Sequence, residues 1–226
     1  MFHAEEYMHQ LIASLKSRFG DRLIYVGLQG SYMRGEANEN SDIDPMVVID
    51  GLCVADLDVY KQIISQMESP EKSCGFICGK QELLHWNPLE ICHLLHTTKD
   101  YYGKLTVLVP GYTDTDVRNF AKMSVNNLYH EITHRYIHAS TEKNAARIAG
   151  SYRTVFFILQ NVHYLETGAF VTTKGELLGR LTGEDAEILA SAIALSNGEQ
   201  LPLEPVFSLL HTWCKHILQH LGDLGG

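Results

Sequence analysis

The chain has 226 residues, 45% of them apolar, enough to fill one large domain or two small ones. A formal net charge of −9 excludes a broad phosphate-backbone footprint, because nucleic-acid binders carry a basic face, and it suits cationic small molecules instead. Five cysteines, odd in number and without the spacing of a secreted scaffold, point to reduced thiols in a cytoplasmic protein, and no apolar run is long enough to span a bilayer.

The first element is an amphipathic helix from about Ala4 to Arg18, with Glu5 and Glu6 early and none of the basic-then-apolar order of a signal peptide. A strand follows near Leu23 to Leu28. The chain then runs through Gly30-Ser31-Tyr32-Met33-Arg34-Gly35, a polar loop, and Ser41-Asp42-Ile43-Asp44, which enters a second strand near Met46 to Ile49. A helix is predicted from Asp56 to Met67, and strands at Gly75 to Cys78, Leu89 to Leu95 and Leu105 to Val109. Beyond Pro110-Gly111 the pattern is helical throughout. One helix opens at Thr113-Asp114 and runs to Ala139, another opens at Thr141-Glu142 and runs to Glu166 with Gly168 as its stop, and shorter ones follow Thr173, Thr182 and Pro202. The organisation read from this pattern is an α+β domain with a mixed sheet over residues 1–112 and an all-helical bundle over residues 113–226.

The chemistry concentrates between the first two strands. Alternate side chains of a strand share a face, so Asp42 and Asp44 project together with Cα atoms roughly 6.5–7 Å apart. Such a pair suits Mg²⁺, which takes one or two protein carboxylates and completes its shell with phosphate oxygens and water. The glycine-hinged turn at Gly30 supplies the other half, letting Ser31 and the following backbone N–H groups face a polyphosphate. A polar β-hairpin loop is the bland alternative, but it needs neither Gly-Ser at one end nor paired acids at the other.

The ordered string Gly30-Ser31, Gly35 and Ser41-Asp42-Ile43-Asp44 resembles the signature of nucleotidyltransferases of the DNA polymerase β superfamily, and the helical second half resembles the arrangement of aminoglycoside- and lincosamide-type members. The resemblance implies that Asp42 and Asp44 hold Mg²⁺, and that Gly30, Ser31, Arg34, Gly35 and Ser41 bind an NTP, ATP by preference. It also implies a third carboxylate, for which Glu90 in Pro88-Leu89-Glu90-Ile91-Cys92 is the candidate as catalytic residue and metal ligand at the start of a strand. The strand in which the family often places that acid, Cys74 to Gly79, contains none. Glu131 is a candidate acceptor base from the helical domain, and Lys174 a candidate for neutralising the triphosphate. The implied activity is transfer of a nucleoside monophosphate to a hydroxyl of a small acceptor, an antibiotic being one class, with release of pyrophosphate. The implied partners are the NTP and that acceptor, with no nucleic acid and no membrane, and a homodimer is compatible with the reading.

Two competing readings accompany this one. His130-Glu131-Ile132-Thr133-His134 matches the zinc-metalloprotease pattern, in which two histidines four apart share a helix face and the Glu is the base; no third ligand follows at a familiar spacing. Alternatively the chain is an antitoxin-like or regulatory nucleotide-binding module, a reading that gains if the third acid is missing.

Overall fold

The computed structural model describes residues 2–224 and divides the chain into two compact units, one ending at Tyr112 and the other beginning at Thr113. In the first, α1 (Ala4–Phe19) buries Tyr7, Met8, Leu11, Leu15 and Phe19, the three-and-four spacing of one helical face, and ends at Gly20. Four strands follow: β1 (Leu23–Gln29), β2 (Asp44–Ile49), β3 (Phe76–Gly79) and β4 (Lys99–Tyr102). They form one mixed sheet in the order β3-β2-β1-β4, in which β1 pairs antiparallel with β2 and β4, and β2 pairs parallel with β3. The parallel step needs a crossover, and α3 (Val54–Ser65) supplies it.

The two-residue period sorts the strands into two faces. Val26, Leu28, Ile43, Val47 and Ile49 belong to one core cluster with the buried residues of α1 and with Ile63 of α3. Tyr25, Met46, Val48 and Cys78 belong to a second cluster, completed by Leu83 of α4 (Lys80–Leu84) and by Leu105 and Leu108. Each aliphatic buried this way contributes about 1.5–3 kcal/mol relative to an exposed one, so the register that keeps Ile43 and Val47 on one face is strongly held. That same register sends Asp42 and Asp44 to the other face.

Two expected strands are corrected. Residues 89–95 lie in α5 (Pro88–His96): Asn87 accepts a hydrogen bond from the Leu89 N–H as N-cap, and Pro88 occupies the first turn, so local capping overrides the apolar run. Glu90 therefore sits in the first turn of a helix, not on a strand. Residues 105–107 form a single 3₁₀ turn, and the edge strand of the sheet is instead β4, whose Lys-Asp-Tyr-Tyr sequence carries no strand-like apolar alternation.

The second unit is helical: α6 (Asp114–His138), α7 (Thr141–Thr167), α8 (Lys174–Leu178), α9 (Gly183–Ser196) and α10 (Leu203–Asp223). Thr113 caps α6 in a capping box with Asp116, Ser140 caps α7, and Gly168 ends α7 in the left-handed conformation at φ 70°. One core runs through the unit, including Leu128 and Ile132 of α6, Tyr152, Phe156 and Leu159 of α7, and Leu210, Trp213 and Ile217 of α10. The polar ends of the large aromatics are satisfied: the Tyr152 hydroxyl donates to the Val206 carbonyl and the Trp213 indole to Asp185, both at 2.7 Å. Among the described residues, no helix is long and apolar enough to cross a membrane.

Candidate active site

β1 ends at Gln29, and the chain turns at once into α2 (Gly30–Arg34), whose N-cap has no side-chain hydrogen bond. The first amides of this short helix thus keep their donor capacity for a ligand. Gly30 has φ +69°, and a Cβ there would lie 1.9 Å from Asp44 Oδ2. Two requirements, a left-handed backbone and contact with a carboxylate, fix glycine at this position. Gly35 ends α2 at φ 71°, and the Glu36 N–H donates to the Ser31 carbonyl at 2.9 Å, closing the turn.

The acidic arm is held by backbone on both sides. Ile43 donates to the Lys72 carbonyl at 2.8 Å and accepts from Cys74 N–H at 2.9 Å, so the Asp42–Asp44 segment is clamped to the stretch just ahead of β3. On its other side Asp44 stands directly opposite Gln29 in the antiparallel ladder. Asp44 is half-buried, and its pKa is raised first by that burial and then by the nearby Asp42 carboxylate, while Arg34 pulls it down. Two carboxylates this close, the Asp42 charge raising the proton affinity of Asp44, beside uncapped amides make a site with excess negative charge on one arm and anion-seeking donors on the other. A divalent cation with a polyphosphate satisfies both.

The remaining sequence-derived candidates separate. Arg34 lies at the site, in an ion pair with Glu36 at 2.9 Å. The Ser41 hydroxyl accepts from the Asn38 N–H at 2.9 Å and so shapes the loop ahead of Asp42. Glu90 does not join the acidic pair as metal ligand: its carboxylate accepts from the Trp86 indole at 2.7 Å, and among the described residues no three His, Cys, Asp or Glu side chains gather to hold a metal. Glu131 belongs to the helical unit, where it pairs with Arg135 at 2.5 Å and accepts from the Ser151 hydroxyl at 3.2 Å. Both bonds fall on Oε1 and tie the carboxylate that the His-Glu-x-x-His reading needs as a base to a buried arginine. Lys174 opens α8 in the same unit.

The structure also brings in residues that the sequence did not single out. Gln29 donates to Thr98 Oγ1 at 2.9 Å, tying the end of β1 to the segment after α5. His93 of α5 is half-buried with Nδ1 shielded from solvent; burial lowers its pKa to about 4, and the positive charge of Arg34 and the neighbouring His96 add to the effect. A neutral imidazole thus stands near Arg34. Its signal in the sequence is a histidine three before another, His93 and His96, in a segment whose apolar density reads as a strand.

Residues 8–72 match the family model of the nucleotidyltransferase domain, a span that includes the α2 turn and both aspartates. No curated protein matches the chain. Among solved structures, spectinomycin adenyltransferase AAD(9) from Enterococcus faecialis, determined with ATP and spectinomycin, is 18% identical, with a TM-score of 0.59 over 96% of this chain and 100% of that one. A nucleotidyltransferase-like protein from Exiguobacterium sibiricum 255-15 is 13% identical with a TM-score of 0.43 over 97% and 77% of the two chains. A toxin-antitoxin structure with AMP-PNP is 21% identical with a TM-score of 0.32 over 57% and 93%. At these identities the AAD(9) match speaks for a shared fold across both units.

Proposed function

From the match of residues 8–72 to the nucleotidyltransferase domain model we propose that the first unit is such a domain and that the protein transfers a nucleoside monophosphate from an NTP, ATP first, to a hydroxyl of a small acceptor, releasing pyrophosphate. The observation that carries the proposal is the packing of the Asp44 carboxylate against Gly30, beside Asp42, at the mouth of the α2 turn. Asp42 and Asp44 would hold Mg²⁺, an all-oxygen site of the kind that ion takes; when bound, it neutralises charge that develops on the transferring phosphoryl group. Gly30 and Ser31 bind the phosphate tail through backbone N–H groups, and Arg34 places a fixed positive charge beside the same carboxylates. The acceptor oxygen attacks the α-phosphorus in line, and positioning supplies most of the rate. The net charge of −9 suits a cationic acceptor, an aminoglycoside-like antibiotic being one such molecule.

A second reading, a nucleotide-binding module with little or no turnover, is favoured by one observation: Glu90 is engaged by Trp86, which leaves a pair of acids where an enzyme commonly has three. Incubating the protein with Mg²⁺, each labelled NTP and a panel of hydroxylated cationic acceptors, and measuring pyrophosphate, separates the two. Acceptor-dependent release supports the enzyme. Tight NTP binding without release against any acceptor supports the module, and no NTP binding at all overturns both.

A further inference from the structure

The helical unit carries a pocket lined only by its own residues. It has a volume of about 500 Å³ and is lined by His130, Glu131, His134, Arg135, His138, Ala139 and Arg147. His130, His134 and His138 follow one another at four-residue spacing along one face of α6, with ring centroids 5.9 and 4.6 Å apart. Arg135 lies beneath them, buried, fixed by Asn144 and Ser151 of α7 and by Glu131. Its Nε, Nη1 and Nη2 each donate once, three of the five N–H bonds a guanidinium owns. Arg147 reaches the pocket from α7 and is exposed, and among the described residues no carboxylate pairs with it.

The charged groups facing the histidines are therefore Glu131 and Arg135 from α6 and Arg147 from α7; α10, which also packs on α6, contributes none of the lining residues. With neutral histidines the lining sums to one positive charge, and protonation adds up to three more, on a chain whose overall charge is −9. A zinc site is the other chemistry a histidine row suggests, but Oε1 of the nearby carboxylate bonds Arg135 and Ser151, and among the described residues no three-ligand group is present. Guanidinium forks beside imidazoles match a compact oxyanion better.

We propose that this α6–α7 pocket binds a small dianionic oxyanion, a phosphate group by preference, gripped by Arg135 and Arg147 and strengthened when the His130, His134 and His138 row is protonated. The probe is sulfate, which keeps its double charge between pH 6 and 8, so that any pH dependence belongs to the protein. Histidine ring protons of the full chain are followed by NMR through a pH titration in sulfate and in chloride at matched ionic strength. The expected result is an upward shift of about 0.5 unit or more in the titration of His134 and His138 in sulfate, at least halved by Arg147→Gln, and retained in Asp42→Asn/Asp44→Asn. Superimposable curves in the two salts overturn the site, as does an equal shift at every histidine. A shift lost with the aspartates rather than with Arg147 assigns the anion to the first unit and also overturns it. Stoichiometric zinc uptake abolished by His134→Gln/His138→Gln, with no response to sulfate, replaces it with a metal site. Helical circular dichroism of each variant confirms that the fold is retained.

Discussion

At the residue scale, Asp44 sets function against stability. Its folded-state pKa lies above the unfolded value, so the ionised carboxylate costs stability at every pH above the folded value, and the cost vanishes below the unfolded one. Asp44→Asn is therefore expected to hold or raise the melting temperature without Mg²⁺ while lowering transfer by at least about a hundredfold. A large fall in melting temperature, or near-normal turnover, refutes that role. Gly30 and Gly35 give a second contrast, because both have positive φ but only Gly30 faces a neighbour. Gly30→Ala is expected to cost about 1–3 kcal/mol and to abolish Mg²⁺-dependent NTP binding by displacing Asp44, whereas Gly35→Ala pays backbone strain of about 1 kcal/mol alone. Urea unfolding and calorimetric titration with NTP and Mg²⁺ measure both. His93 adds a pH signature. Its folded pKa of about 4 lies below the ordinary histidine value, so the stability it contributes is complete above about pH 6.5 and is lost as pH falls toward 4. Asp44 works in the opposite sense, since folding favours its protonated form. The urea midpoint is expected to drop between pH 7 and pH 5, and His93→Gln is expected to shrink that drop; an unchanged drop rejects the assignment.

At the scale of elements, the α6–α7 pair is fastened through a buried cation. Arg135 spans from its own helix to Asn144 and Ser151 on the next, and Met in its place leaves two buried polar side chains without their donor. Arg135→Met is expected to destabilise the protein by about 2–4 kcal/mol, read from chemical unfolding. A loss below about 0.5 kcal/mol would show the network to be dispensable. The α5 segment teaches the complementary lesson about patterning. Leu-Glu-Ile-Cys-His-Leu-Leu fits a buried strand by its apolar density, yet the adjacent Ile91 and Cys92 are both buried, which strand alternation over one covered face does not give, and Glu90 in the first turn accepts from Trp86 just ahead of the helix. The cap at Asn87 and the proline at the first position were the legible signs.

At the scale of the whole molecule, nucleotide binding is expected to stabilise the unit that holds it. Thermal unfolding with ATP and Mg²⁺ should shift upward for the part of the transition belonging to residues 2–112, and the shift should disappear in Asp42→Asn/Asp44→Asn. An equal shift in that variant would move the nucleotide elsewhere. The sequence alone determined the two-unit character, the helices from Thr113 onward, and the pairing of a glycine turn with two aspartates, because each rests on local rules: caps, helix periodicity, and the alternation that puts residues 42 and 44 on one face. Gln29, Thr98 and His93 were beyond its reach, since Gln29 faces Asp44 only through the β1–β2 pairing, Thr98 bonds Gln29 from 69 residues further along the chain, and His93 nears Arg34 only once the chain is folded. The fate of Glu90 and Glu131 was likewise decided in three dimensions. A carboxylate's chemistry depends on what already holds it, and Trp86 in one case, Arg135 with Ser151 in the other, took up the acids that spacing had offered to the active site.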